Sequence, residues 1–125
     1  MGRLIKEKLF SHTENKFYDS EGYVNPAKLR AYLGLKAKNI AHIVGRTPRS
    51  LEKNPKSNKV QLELRKIVYI HALLKSMTNN ESEILLWLRA PNPEYSGLSP
   101  IEVISQGKID SIVNYLENIK KGSPA

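Results

Sequence analysis

Few residues of this chain are suited to covalent chemistry. His12, His42 and His71 stand far apart with no metal-ligand spacing, and there is no cysteine, which excludes disulfides, thiolate catalysis and cysteine-ligated metals. The carboxylates occur singly on what read as helical faces, where solvation is their expected state. Neither a glycine-rich phosphate loop nor a nucleophile beside a base is evident. His71 falls on the apolar stripe of a long helix, the setting of a hydrogen-bonded core histidine rather than a ligand or base. The chain therefore does not read as an enzyme, and no metal is expected.

The chemistry that composition does favour is polyanion binding. The 125 residues carry a net charge of +8, unevenly placed. From Met1 to Lys75 there are 16 basic and six acidic residues, net +10; from Ser76 onward four basic and six acidic, net −2. A basic half beside a near-neutral one suggests one unit for a polyanion and one with another task, although the same lysines would also serve as a solubilising surface.

Within the basic half, Ala41, Gly45 and Leu51 stand at i, i+4 and i+10. A helix-turn-helix needs a small residue where its helices cross, a glycine that accepts positive φ in the turn, and an aliphatic anchor on the second helix. The three positions meet those needs in order, with Ile40 and Val44 as core. The recognition helix would then span 48–54. Lys38, Arg46, Thr47, Arg49, Ser50, Lys53, Lys56 and Lys59 are the candidate DNA contacts, the lysines beyond the helix meeting phosphates. Two departures stand against it: Pro55 makes the helix short, and Asn54 occupies a second anchor position. A helical hairpin with no DNA role fits the same spacing.

The elements that would position these residues are all helices. Asn25-Pro26, Thr47-Pro48 and Ser99-Pro100 each pair an N-cap with proline at the first helical position. They predict helices over 26–33 (ended by Gly34), 48–54 and 100–105, with a helix over 36–44 stopped by Gly45. Ser57-Asn58 caps the longest, 59–77. On it Val60, Leu64, Ile67, Val68, His71 and Leu74 form one stripe, and Leu62, Tyr69, Ile70, Leu73 and Met77 a second. Such a helix should be buried on two sides, a beam between the two halves. Helices over 81–89 and from Ile109 to Ile119 complete an all-α chain.

The expected organisation is a peripheral arm (1–20), a helix-turn-helix unit with its connecting helix (21–77), a C-terminal helical unit (78–121) and a loose tail (122–125). No apolar run approaches the roughly 18–20 residues that span a bilayer, and the start lacks the apolar core of a signal peptide. A cytoplasmic protein is expected.

Between the last two units lies Trp87-Leu88-Arg89-Ala90-Pro91-Asn92-Pro93, then Gly97, then Ser99-Pro100-Ile101-Glu102-Val103-Ile104 and Gly107. This stretch resembles the C-terminal toxin-binding domain of the MbcA/ParS/Xre antitoxins. Gly22-Tyr23-Val24-Asn25-Pro26, Leu33-Gly34-Leu35, residues 40–46 and Leu51 resemble the Xre-like helix-turn-helix region that precedes it. The likeness covers roughly residues 22–119.

The resemblance implies an antitoxin of a bacterial type II toxin–antitoxin pair. Its partner would be a RES-domain toxin that consumes NAD, its active site blocked by the antitoxin. It also implies operator binding and repression, by a homodimer or a toxin–antitoxin hetero-oligomer, and location at the nucleoid when bound. NAD chemistry would belong to the toxin, so no cofactor is implied here. On this reading Tyr95, Leu98, Glu102, Asn114, Glu117, Lys120 and Lys121 are the candidate toxin contacts. Trp87, Pro91, Pro93, Gly97 and Pro100 frame them, Trp87 as a buried pin behind an exposed edge from Tyr95 to Leu98. A stand-alone transcriptional regulator whose C-terminal unit only dimerises is the alternative.

Overall fold

The structure is a computed structural model that describes residues 15–122. Its seven α-helices are α1 (Pro26–Leu33), α2 (Ala37–Ile43), α3 (Pro48–Lys53), α4 (Asn58–Met77), α5 (Glu81–Arg89), α6 (Pro100–Ser105) and α7 (Ile109–Lys120). Short 3-10 turns occupy Asn15–Phe17 and Pro93–Tyr95. Among the described residues there is no strand, only an isolated bridge between Tyr18 and Val24. The fold is all-α. No described helix is long and apolar enough to cross a membrane.

Side chains that satisfy free backbone donors set the helix starts. Asn25 Oδ1 accepts from the Ala27 and Lys28 amides, Thr47 Oγ1 from Ser50 at 3.1 Å, Ser57 Oγ from Val60 and Asn80 Oδ1 from Ser82 and Glu83. α6 opens with a reciprocal box: the Ser99 amide donates to Glu102 Oε1 at 2.9 Å, and the Glu102 amide to Ser99 Oγ at 3.2 Å.

The buried side chains form one hydrophobic cluster that runs through both halves of the sequence. α4 lies along α7 and against α5, and α2 of the basic half packs on α6 of the C-terminal half. The second stripe expected on α4 is only partly buried. Ile70 and Leu73 are inside, but Leu62 is 59% exposed and Met77 is also exposed. Leu62 stands on the bare side of a turn whose Val60, Gln61 and Leu64 are buried, and periodicity alone does not distinguish a covered side from a bare one.

The expected arm is corrected at its inner end. Phe17 is only 2% exposed, and its ring meets the Tyr32 and His71 rings edge-on at 5.2 and 5.1 Å. The Phe17 carbonyl accepts from Asn25 and the Tyr23 carbonyl from Asp19, which fold the segment back along α1. A second tie is Gln61, buried on α4. Its Oε1 accepts from the Val24 amide at 2.9 Å, and its Nε2 donates to the Val24 and Pro55 carbonyls. The rest of the expected arm (1–14, with His12) and the tail residues 123–125 lie outside the described residues.

Candidate functional site

Two surfaces collect the residues singled out by sequence. On the first, α2 and α3 pack together with Ala41 fully buried at their crossing, Gly45 at φ +70° between them and Leu51 buried. The turn closes as the Arg46 amide donates to the Ala41 carbonyl at 2.8 Å and the Gly45 amide to His42. Ile40 and Val44 are buried beneath it. α3 ends after six residues, with exposed Asn54 at φ −131° and Pro55 following.

Lys38, Arg49, Lys53 and Lys59 are exposed around this hairpin, and Arg46 is half-buried. None of the five takes part in an ion pair among the described residues. Three candidates are committed elsewhere in part. Thr47 caps α3, and half-buried Ser50 donates its amide to that cap. Lys56 pairs with Glu21 at 2.7 Å and lies over the Tyr23 ring, and the Glu21 hydrogen bond raises its pKa. The surface can neutralise phosphates with unpaired cations, while its short helix offers few side chains to base edges.

The second surface is built on the corner between α5 and α6. The Asn92 amide donates to the Leu98 carbonyl at 3.0 Å and the Gly97 amide to the Asn92 carbonyl at 3.1 Å, closing the loop on itself. Ser96 at φ +56° and Gly97 at φ +88° turn the chain. Pro91 and Pro93 are exposed on its outside, and Pro100 is buried at the start of α6. Trp87 stacks on Tyr115 of α7, ring centroids 6.3 Å apart, and Tyr95 meets Tyr115 edge-on at 5.7 Å.

The expected exposed edge is corrected here. Tyr95 and Leu98 are half-buried, and the buried Tyr95 hydroxyl has no hydrogen-bond partner among the described residues. Burial, with Tyr115 and Glu94 adding to it, pushes the Tyr95 pKa up to about 12. Trp87 is half-buried rather than a buried pin. The bare apolar side chain at this corner is Leu86, 68% exposed, with Ile119 exposed one turn beyond Tyr115 on α7.

The polar candidates divide. Asn114, Lys120 and Lys121 are exposed. Glu102 is exposed too, but its carboxylate closes the box at the α6 start, and the Ser99 amide holds its pKa below the usual range. Glu117 accepts from the Tyr69 hydroxyl at 2.8 Å. Burial first, and that bond second, raise the Tyr69 pKa.

Sequence reasoning missed Leu86, Tyr115 and Ile119 as surface residues. The signal was present: Ile84 and Leu88 define the buried stripe of α5, and Leu86 lies off it. Glu81 was also missed, as one more solvated carboxylate. It accepts from Tyr32 Oη and from Lys16 Nζ at 3.0 Å, contacts His71 Nε2 at 3.1 Å, and has Lys75 Nζ at 3.6 Å. His71 itself is a core histidine, 3% exposed. Among the described residues no group of His, Asp or Glu is arranged to hold a metal.

No family model, curated protein or solved structure matches this chain.

Proposed function

We propose that this chain is the antitoxin of a bacterial type II toxin–antitoxin pair. It neutralises a RES-domain, NAD-degrading toxin by covering the toxin's active site with the corner between α5 and α6. It represses its own operon through the α2–α3 helix-turn-helix, as a homodimer or a toxin–antitoxin hetero-oligomer in the cytoplasm.

One observation supports the toxin-binding half of this reading. Leu86 is exposed next to Trp87, which stacks on Tyr115, on the same stretch whose residues resemble the toxin-binding domain. Rigid aromatic and aliphatic anchors with a polar rim are what protein interfaces are built on. Asn114, Lys120 and Lys121 supply that rim. Lys38, Arg49, Lys53 and Lys59, in no ion pair among the described residues, support the DNA-binding half.

Co-expression with the neighbouring gene product tests the first half. Leu86→Lys with Ile119→Lys should abolish rescue of growth while leaving the melting temperature unchanged, since both side chains already face water. Undiminished rescue would overturn the assignment of the surface. If no neighbouring product is toxic and the same pair of changes instead converts a dimer to a monomer, the chain is a stand-alone regulator. For DNA, Arg49→Ala with Lys53→Ala should weaken operator retardation and flatten its salt dependence by about 1 for each phosphate contact removed.

A further inference from the structure

A groove of about 390 Å³ opens between α1, α2 and α3. Its walls are Pro26, Ile40, Pro48, Leu51 and Pro55, and it also takes in Arg30 and Glu52. We propose that this groove is a binding site for a short hydrophobic peptide with free ends, whose carboxylate meets Arg30 and whose ammonium meets Glu52.

The size and lining are those of a small-molecule site, for which volumes of about 300–1,000 Å³ and a mostly apolar wall with few polar groups are usual. Three of the wall residues are prolines, and Pro26 and Pro48 occupy first helical positions. Their fixed φ makes the wall rigid before anything binds, so little ordering opposes association.

The two charges set the class of ligand. Arg30 and Glu52 line one groove, yet they are not paired with each other or with any described residue, so their charged atoms are more than 4.0 Å apart. A molecule carrying one charge of each sign meets both at once. The Arg30 guanidinium presents a fork suited to a carboxylate, and Glu52 accepts from an ammonium. A hydrophobic peptide of two or three residues combines those two ends with an apolar body.

The site also touches the candidate recognition helix. Pro48, Leu51 and Glu52 stand at i, i+3 and i+4 on the groove face of α3, with Arg49 and Lys53 at i and i+4 on the neighbouring one. A bound peptide would wedge against the helix that carries those cations. The peptide site goes beyond the antitoxin reading and does not depend on it.

The test is titration of the full chain with L-leucyl-L-phenylalanine, its N-acetyl form and its C-terminal amide, read by calorimetry and by backbone amide shifts. The free dipeptide should bind saturably at millimolar concentration and shift the Ile40, Leu51 and Glu52 amides. Blocking either end should weaken binding about three- to tenfold, as for loss of one partly exposed ion pair. Arg30→Gln should cost the same factor and abolish the effect of amidation; Glu52→Gln should abolish the effect of acetylation. Both residues are exposed, so the variants should keep the parent melting temperature. No saturable shift, or losses that do not follow this pairing of residue with blocked end, would overturn the proposal.

Discussion

Glu81 ties four parts of the chain together through one carboxylate, with Lys16 from the N-terminal segment, Tyr32 from α1 and His71 and Lys75 from α4 around the first residue of α5. Burial works against its charge, but Tyr32, Lys16 and His71 more than offset this and hold its pKa at about 2, against an ordinary 4.5. Because the folded value is the lower one, the stabilisation is complete above pH 4.5 and is lost as pH falls towards 2. Glu81→Gln should therefore destabilise at neutral pH and flatten the acid limb of stability between those values, followed by urea unfolding across the range. Two other side chains separate a satisfied from an unsatisfied polar group. Gln61→Ala strips partners from the Val24 amide, the buried Val24 carbonyl and the part-buried Pro55 carbonyl, and should cost about 2–4 kcal/mol. Tyr95→Phe removes a buried hydroxyl with no partner among the described residues, and should be neutral or stabilising by about 1 kcal/mol. Urea midpoints of the two variants on opposite sides of the parent would bear out the distinction. None of this was legible in sequence, since each contact joins residues at least ten positions apart, except Gln61 to Pro55 and Lys75 to Glu81, which are six apart.

At the scale of elements the sequence was far more informative, because starts and stops are local chemistry. Asn25, Thr47, Ser57 and Ser99 cap the helices they precede, and Gly34 and Gly45 end α1 and α2 in the left-handed region. The helix starts expected at Pro26, Pro48, Glu81 and Pro100 stand at those residues. What was not legible is which side of an element is covered. α4 carries apolar residues on two sides, yet Leu62 faces water while the polar Gln61 beside it is buried. A residue pattern records what could be covered, and coverage depends on elements distant in sequence. The α2–α3 turn permits a clean test of the glycine argument. A Cβ at Gly45 would meet nothing within 4 Å, so Gly45→Ala carries only the backbone penalty of positive φ, about 1–2 kcal/mol. Gly45→Asn should recover part of that loss, because Asn tolerates the left-handed region. Equal losses for Ala and Asn in thermal unfolding would mean that the turn is held by something other than its φ.

For the whole molecule, charge and core divide the chain differently. The basic and near-neutral halves of the sequence suggested two units joined by a beam, but α4 shares its buried face with both, and α2 packs on α6 across the division. Charge marks what a surface can attract; burial marks what folds together, and the boundary near residue 77 belongs only to the first. The candidate surfaces inherit this: the helix-turn-helix and the aromatic corner are placed on one shared core, so truncation is a poor way to separate them. Removing residues 78–125 takes away Ile84, Leu88, Ile104, Ile112 and Leu116, all buried in that cluster, and should leave the remainder unfolded instead of yielding an isolated DNA-binding unit. The same packing makes a prediction for the intact chain. Its single tryptophan, Trp87, reports on the C-terminal half through its stack on Tyr115, whereas far-ultraviolet ellipticity reports on helices in both halves. With one core, both signals should trace one transition with one midpoint in urea, and Gly45→Ala in the basic half should shift the Trp87 transition as far as the helical one. A Trp87 midpoint that stays put when Gly45 is changed would mean two units that unfold independently, which the packing of α2 on α6 speaks against.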